Sequence, residues 1–397
     1  MIAETAAGFA AGFAAGTTGL LPFLHTNTLL ELLQGFFEDP VSLAVFAAAL
    51  AGSHAAFEAI PAVFFAVPSS NHGVSVLPAH EMARAGKGVA GFKTIVYCLA
   101  AGFAIAVMLA PTASLLLPFL YEEVKPFAGL VLAAALAAFV LSERSVKRAA
   151  LGVLVLALSG ALGVLAFSVS VTRDPLFALL TGFFCIPALL LSRGESVGAQ
   201  KEESVSIDLK LVLVGAVLGA ASTLLPAMTP AVMAAIVFSF TQRRPASFLS
   251  LASAIAGSKL AFDFAAVGLI GKARSGAAFA AMEALGQPSP AETLLLVAAC
   301  GAALFAATAL LAVFHKKLVE FIAAVPGAAN KLFLVFVLAM VYGYCGWSGL
   351  FLAAVAACIG LFAVLVGSKR SYCNGSLLVP AMFYFTGLNY AVAAALS

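Results

Sequence analysis

The amino-acid sequence predicts an all-α polytopic membrane protein built from two inverted repeats. Each repeat is expected to open with a re-entrant or broken helical hairpin and to continue with about five transmembrane helices. Three observations predict this fold: the apolar composition, a pair of motifs that occurs twice, and the distribution of Lys and Arg among the short loops.

The composition excludes an ordinary soluble protein. Of the 397 residues, 63% are hydrophobic and 10% are charged, whereas a soluble domain carries about 25% charged residues. The runs 127–141, 149–171 and 347–366 contain no charged residue and approach the roughly 20 residues with which a helix crosses a bilayer. We therefore expect a multi-pass protein of the cell membrane, surrounded by lipid. The net charge of +3 gives no indication of a nucleic-acid partner.

Two motifs occur once in each half of the chain. Residues 51–58 read Ala-Gly-Ser-His-Ala-Ala-Phe-Glu, and residues 256–263 read Ala-Gly-Ser-Lys-Leu-Ala-Phe-Asp. Upstream of each, two glycines four residues apart and then a Leu-Leu-Pro triplet occupy 12–22 and 215–226. Because both motifs match at an offset of about 203–205 residues, we interpret the chain as an internal duplication.

Loop charges orient the two copies in the membrane. Short loops rich in Lys and Arg are usually cytoplasmic, which places 143–148 and 193–210 inside. Counting spans from these segments places loop 68–87 inside and its repeat partner 271–290 outside, so the copies are predicted to be inverted. The predicted division is a first repeat at 1–192, a cytoplasmic linker at 193–210 and a second repeat at 211–397.

The predicted spans agree with the assigned sides of the loops only when segments 4–37 and 211–240 each cross the membrane an even number of times. Each segment has two apolar arms around a Pro-containing break, which favours a re-entrant hairpin, with two full crossings as the alternative. The predicted helices after these hairpins are 41–67, 90–118, 126–142, 149–171 and 174–192 in the first repeat, and 245–271, 291–314, 328–344, 347–367 and 375–395 in the second.

The two breaks are the first candidate site. Thr26 or Asn27 is a natural cap for the second arm of the first hairpin, and Thr229 can cap a helix that begins at Pro230. Free backbone N–H groups at a helix start bind anions, although a Pro-kinked helix with satisfied caps is the structural alternative. The candidate substrate-binding residues here are Pro22, His25, Thr26, Asn27, Thr229 and Pro230.

The first long helix of each repeat carries an ionisable pair. His54 and Glu58 are four residues apart, as are Lys259 and Asp263, so each pair shares one helix face. Ionisable groups inside a membrane are costly and commonly functional. His54 and Lys259 are candidate partners for a substrate carboxylate, while Glu58 and Asp263 are candidates for binding a coupling ion. Self-neutralised structural pairs are the alternative.

Three further polar residues are candidates for binding substrate. Ser53 and Ser258 directly precede the two pairs and supply either hydroxyl ligands or small residues for close helix packing. Asn71 belongs to the polar stretch 68–73, whose Gly and Pro mark a loop. His80 occurs later in the same predicted loop and is interpreted as a solvated histidine.

Several of these motifs together resemble a known family. The opening Gly-x3-Gly with Leu-Leu-Pro, the Ala-Gly-Ser motif, the Pro-Ser-Ser-Asn stretch and the segment 76–88 are similar to the large membrane subunit of the tripartite tricarboxylate transporters, especially its shorter archaeal relatives. The resemblance covers the first hundred residues best and recurs at 215–265. The family's Pro-Gly pairs are Pro22-Phe23 and Pro226-Ala227 in this chain. The resemblance implies a secondary carboxylate transporter driven by an ion gradient.

The predicted function is therefore secondary active transport of a small anionic solute, a di- or tricarboxylate, by alternating access around a midplane site at the two hairpin tips. A polyprenyl-phosphate translocase that uses the same tips is the alternative. An enzyme is not expected, since no motif sets a nucleophile beside a base. No metal or cofactor is predicted beyond a Na⁺ or H⁺ coupling ion. A homodimer, a small membrane subunit and an extracytoplasmic binding protein stay open as partners.

Overall fold

The structure, a computed structural model, confirms the predicted all-α membrane class. All regular secondary structure that it describes is helical, and six helices within the described residues are long and apolar enough to cross a membrane. The inverted arrangement of the two copies stays a prediction. The described residues are 2–21, 26–64, 76–141, 143, 145–169, 171–191, 198–203, 205, 207–224, 230–239, 244–323 and 329–389.

The described helices agree closely with the predicted spans. In chain order they are α1 (Ile2–Gly16), α2 (Thr26–Leu33), α3 (Pro40–Phe57), α4 (Ala59–Phe64), α5 (Val76–Arg84), α6 (Gly88–Val124), α7 (Ala128–Leu141), α8 (Val146–Ser168), α9 (Pro175–Leu180), α10 (Ile186–Leu191), α11 (Leu209–Leu224), α12 (Pro230–Ser239), α13 (Pro245–Ile270), α14 (Gly276–Leu285), α15 (Pro290–Ala323), α16 (Ala329–Leu365) and α17 (Gly375–Thr386). A 3-10 turn at Thr17–Leu20 continues α1.

Helix α16 shows how the predicted break between two spans is built. The sequence predicted one span ending at 344 and the next beginning at 347, and α16 is interrupted at Gly346. The φ angle of Gly346 is 67°, a left-handed backbone conformation that glycine adopts without a Cβ penalty. Two helices therefore meet at this kink, in agreement with the two predicted spans.

Two segments predicted as loops each contain a helix. Helix α5 lies within the predicted loop 68–87, and α14 lies within 271–290. The loop prediction was wrong there because it gave the flanking Gly and Pro residues more weight than the short apolar pattern between them. His80 is consequently a helical residue, partly buried, whose Nδ1 lies 3.1 Å from the Val63 carbonyl. Its interpretation as a solvated loop histidine is corrected by this contact.

The chain divides into two compact units that differ from the predicted repeats. The first unit comprises Met1–Glu122, Val197–Ala234 and Arg243–Ala324, and the second comprises Glu123–Ser196, Ala235–Gln242 and Val325–Ser397. Each unit takes residues from both predicted repeats. Every candidate site residue that the structure describes lies in the first unit.

Within the first unit, two pairs of helices pack in the same way. Helix α1 lies on α3, and α11 lies on α13. A Cβ on Gly12 would lie 3.1 Å from the Leu50 nitrogen, and a Cβ on Gly215 would lie 3.2 Å from the Ile255 nitrogen. Small residues at both positions let the helix backbones approach closely. The repeated glycines found in the sequence therefore occupy matching packing positions.

The glycine of each Ala-Gly-Ser motif makes a second matching contact. Gly52 on α3 abuts the Cys300 carbonyl of α15, while Gly257 on α13 abuts the Leu99 carbonyl of α6. In each case a helix from one half of the chain packs against a helix from the other half. Contacts between helices from different halves of the chain therefore help to hold the first unit together.

In the second unit, α17 packs on α8 and α16 packs on α9. Gly163 of α8 abuts the Ser376 carbonyl of α17. The Lys369 ammonium lies 2.8 Å from the Glu143 carboxylate. The described residues of this unit contain none of the sequence-predicted site residues.

Part of the predicted linker 193–210 docks on the first unit. The Gln200 side-chain oxygen accepts a hydrogen bond from the Gly88 amide at 2.7 Å. The Glu202 carboxylate lies 3.3 Å from Nε2 of His315, and this hydrogen bond lowers the pKa of Glu202. Residues 198–203 therefore bind specific groups at the ends of α6 and α15.

Candidate functional site

Helices α2, α11 and α12 carry or adjoin the candidate residues of the two predicted hairpins. Helix α11 comprises Leu209–Leu224 and α12 comprises Pro230–Ser239, and the residues between them lie outside the described residues. Helix α2 begins at Thr26, after the 3-10 turn that ends at Leu20. Four of the predicted site residues lie outside the described residues, namely Pro22, His25, Asn71 and Thr229.

Helix α13 carries a close ion pair. The Lys259 ammonium lies 2.5 Å and 2.6 Å from the two Asp263 carboxylate oxygens. The exposed fractions of the side chains are 14% and 4%. Four-residue spacing on one helix face brings these groups together, as the sequence predicted. Two charges in this setting are held by mutual attraction and by their other hydrogen bonds.

A third charged residue joins this pair from the segment after α13. Gly271 ends the helix with a φ angle of 61°, and the chain turns back toward the pair. The Arg274 carbonyl then accepts a hydrogen bond from the Lys259 ammonium at 3.3 Å, and the Arg274 guanidinium acts electrostatically on Asp263. We call Lys259, Asp263 and Arg274 the cationic cluster, because it contains two cations and one carboxylate.

The Arg274 side chain also binds the end of α11. Its Nε donates to the Thr223 carbonyl at 2.9 Å, and its Nη2 donates to the Leu224 carbonyl at 3.2 Å. The last carbonyls of a helix lack intrahelical partners, and at membrane depth an unsatisfied carbonyl is costly. Arg274 therefore stabilises the helix end at which the interruption begins. Sequence reasoning assigned Arg274 to an external loop and missed this role.

Residues from three other helices complete the surroundings of the cluster. The Arg274 guanidinium lies 5.6 Å from the centroid of the Tyr121 ring on α6, within the range of a cation–π interaction. Gly276 begins α14 and abuts the Asn27 side-chain amide on α2. Asn27, predicted in the first hairpin, is therefore brought to the segment that carries Arg274.

The pair on α3 is more loosely held. Nδ1 of His54 lies 3.5 Å from the Glu58 carboxylate, and the exposed fractions of these side chains are 6% and 5%. Gly19, in the 3-10 turn after α1, lies against the His54 carbonyl and the Glu58 nitrogen. Close backbone packing at the end of the first hairpin arm therefore helps to bury this pair.

The two candidate serines have matching positions and different hydrogen bonds. The Ser53 hydroxyl donates to the Ala49 carbonyl in its own helix at 2.8 Å. The Ser258 hydroxyl donates to the Ala216 carbonyl of α11 at 2.5 Å. Gly16 faces Ser53, and Gly219 faces Ser258. Close helix packing accounts for these contacts, and a role as substrate ligands stays a prediction.

Helix α15 connects the two ionisable pairs. The Cys300 carbonyl abuts Gly52, one residue before Ser53. The same helix also packs against α13. The structure therefore places α3 and α13, the helices that carry the two pairs, against α15 within a single unit.

Buried charges inside a polytopic helical protein are typical of membrane transport proteins. The family model described as the tripartite tricarboxylate transporter TctA family matches residues 6–374, and the chain belongs to this family. The resemblance found in the sequence is thereby confirmed, while its likeness to the shorter archaeal relatives stays a prediction. Comparison with curated proteins and with solved structures gives no significant match.

Proposed function

We propose that this membrane permease carries small carboxylates, with a di- or tricarboxylate as substrate, by ion-coupled alternating access. One observation carries the proposal: the cationic cluster holds two cations and one carboxylate beside the end of α11. The cluster therefore has an excess positive charge. A charge that is poorly solvated calls for an opposite charge, and a substrate carboxylate supplies one.

The donor chemistry of the cluster fits a carboxylate. A guanidinium has five N–H donors in a planar fork that matches carboxylate geometry. The carbonyls of Thr223 and Leu224 take one donor each in the described contacts. The other donors of Arg274, together with the Lys259 ammonium, are proposed to bind one carboxylate of the substrate.

The helix starts supply further donors in this proposal. The first backbone N–H groups of a helix lack intrahelical partners and favour anions. Asn27 places the start of α2 against the start of α14 at Gly276, two residues from Arg274. We propose that Thr26, Asn27, Thr229 and Pro230 contact the substrate's remaining carboxylates.

The lipid-phosphate translocase uses the same helix ends, and the described contacts include none that favours a lipid tail. Transport of a lipid phosphate is therefore one outcome of the transport experiment described below.

The word tripartite in the family description supports a small membrane subunit and an extracytoplasmic binding protein as partners of this chain. A homodimer stays a prediction.

Uptake by purified protein in proteoliposomes tests the proposed function. We expect counterflow exchange of labelled citrate, tricarballylate or succinate, and accumulation of the same compound when an ion gradient is imposed. Lack of counterflow for every di- and tricarboxylate, in folded protein supplied with its candidate partner subunits, would refute it. Competition by a polyprenyl phosphate, without carboxylate exchange, would favour the lipid-phosphate alternative.

A further inference from the structure

We infer that His54 and Glu58 form the binding site of a coupling proton, an inference that rests on the proposed carboxylate transport. The geometry points to this pair because it combines an imidazole with a carboxylate 3.5 Å away in a buried position. Helix α15 packs against both α3, which carries this pair, and α13, which carries Lys259 and Asp263. A change of charge at this pair is therefore suited to act on anion binding.

The side-chain chemistry of the two pairs favours a different role for each of them. An imidazole is the side chain that ordinarily changes charge between pH 5 and 8. The pair on α13 contains no imidazole: both oxygens of the Asp263 carboxylate bind the Lys259 ammonium. We therefore assign the switchable charge to α3 and the fixed charge to α13. Asp263 then serves as the counter-charge of Lys259, and Glu58 alone takes part in coupling.

The proton balance is simple. In the deprotonated state the pair is a neutral imidazole and a carboxylate, with net charge −1. One proton taken from the side of substrate entry binds the imidazole ring of His54. The pair becomes an imidazolium and a carboxylate with net charge zero. The same proton is released on the opposite side, and no bond other than N–H forms or breaks.

The charged and titratable groups around the pair come from the elements packed against α3. The 3-10 turn Thr17–Leu20 and α4 carry no ionisable side chain. Along α3 the nearest packed thiol is Cys300, against Gly52. The titratable residues with described side chains on the other elements packed against α3 are Glu4 on α1, Lys259 and Asp263 on α13, Glu283 on α14, and Glu292, Cys300, His315, Lys316, Lys317 and Glu320 on α15.

The test uses sodium-free proteoliposomes that contain the full chain, with partner subunits if transport needs them. Citrate is the probe if it gives counterflow, and otherwise the carboxylate that does. A gradient of one pH unit supports up to about tenfold accumulation for one proton carried per substrate, since each unit is a tenfold ratio of proton activity. A trapped pH dye should report acidification of the lumen as substrate enters, with the membrane voltage clamped.

Two variants remove the switch in different ways. His54→Lys gives α3 the fixed pair found on α13, and Glu58→Gln removes the carboxylate. Both are expected to reduce accumulation driven by the pH gradient and lumen acidification by a larger factor than they reduce counterflow. Exchanging the two residues (His54→Glu with Glu58→His) preserves an imidazole–carboxylate pair, and accumulation should partly return.

His80→Gln is the matched control, because His80 contacts only the Val63 carbonyl in the described hydrogen bonds and lies outside the pair. It should keep both activities. Accumulation driven by the pH gradient in both single variants would overturn the proposal, as would strict dependence of the unaltered protein on Na⁺. Loss of counterflow in the single variants and in the exchanged pair would make the pair structural. Absence of counterflow in the unaltered protein would instead refute the proposed function.

Discussion

The two ionisable pairs occupy matching positions and have different properties. Both come directly after an Ala-Gly-Ser motif, and each motif serine faces a glycine of the helix packed beside it. The Lys259–Asp263 pair is closely bonded and joined by Arg274, whereas His54 and Glu58 are 3.5 Å apart. The two segments thus share their packing and differ in their electrostatics. Because of this difference, we assign anion binding to the pair on α13 and ion coupling to the pair on α3.

The divergence originates in the segments that leave the two helices. After α13, Gly271 reverses the chain and returns Arg274 to the level of the pair. After α3 the chain continues into α4 through residues that are buried and uncharged, Ala59–Phe64. A charged residue therefore returns to the pair on α13 from the next segment, and α4 supplies none to the pair on α3. Substitutions in both halves test this contrast, with the largest expected effect first.

Removing Lys259 should have the largest effect. Lys259→Ala leaves the buried Asp263 carboxylate without its hydrogen-bonded cation, and truncating one partner of such a pair costs about 2–5 kcal/mol. We expect counterflow of the carboxylate to fall at least about 100-fold. His80→Ala should have a small effect on the same rate. Equal, mild effects of the two substitutions would mean that the pair on α13 is structural only.

Arg274 should affect substrate affinity more than the maximal rate. In Arg274→Lys the charge is kept, but the planar fork that binds the Thr223 and Leu224 carbonyls is lost. The KM for carboxylate should rise about tenfold, since an Arg-to-Lys change at a bidentate site is not conservative. Concentration-dependent counterflow measures this change. A fall in folded protein with an unchanged KM would restrict Arg274 to helix capping.

The matched packing predicts similar losses of stability in the two halves. Gly52→Ala would direct a Cβ at the Cys300 carbonyl, and Gly257→Ala would direct one at the Leu99 carbonyl. Overpacking of this kind costs about 1–3 kcal/mol, so both variants should show a lower Tm in detergent. Gly343→Ala, which has nothing within 4 Å of its Cβ, is the control. A loss in one half only would contradict equivalent packing.

Much of the helical layout was predictable from the sequence alone. Apolar runs, Pro and Gly positions and the four-residue spacing predicted α13, the start of α12 at Pro230, and the pairing of Lys259 with Asp263. These features are local, so neighbouring residues determine them. The repeat itself was visible because its packing glycines recur at fixed spacing.

Contacts between distant segments were not predictable in this way. The binding of Arg274 to the end of α11 depends on a chain reversal at Gly271, and a charged residue after a helix is equally typical of a loop. Helices α5 and α14 were missed because each is short and flanked by Gly or Pro. Tertiary packing against longer helices, rather than local propensity, stabilises such elements.

The smallest expected effect concerns the caps of the two compared helices. The Asp39 carboxylate caps α3 by accepting from the Ser42 amide at 2.8 Å and from its hydroxyl at 2.7 Å, whereas Arg244 at the start of α13 makes no such side-chain bond. Asp39→Ala should therefore lower the Tm slightly, and Arg244→Ala should not.

The Tm difference caused by Asp39→Ala should depend on pH in a definite direction. Hydrogen bonds from the Ser42 hydroxyl and amide lower the pKa of Asp39. A carboxyl whose folded pKa is depressed stabilises the fold above its unfolded pKa of about 3.9, and that stabilisation is lost as the pH falls through the folded value. The Tm difference between the unaltered protein and Asp39→Ala should thus be present at pH 7 and shrink below about pH 4. A difference that is unchanged at acid pH would show that the substitution acts on helix α3 through something other than the charged cap.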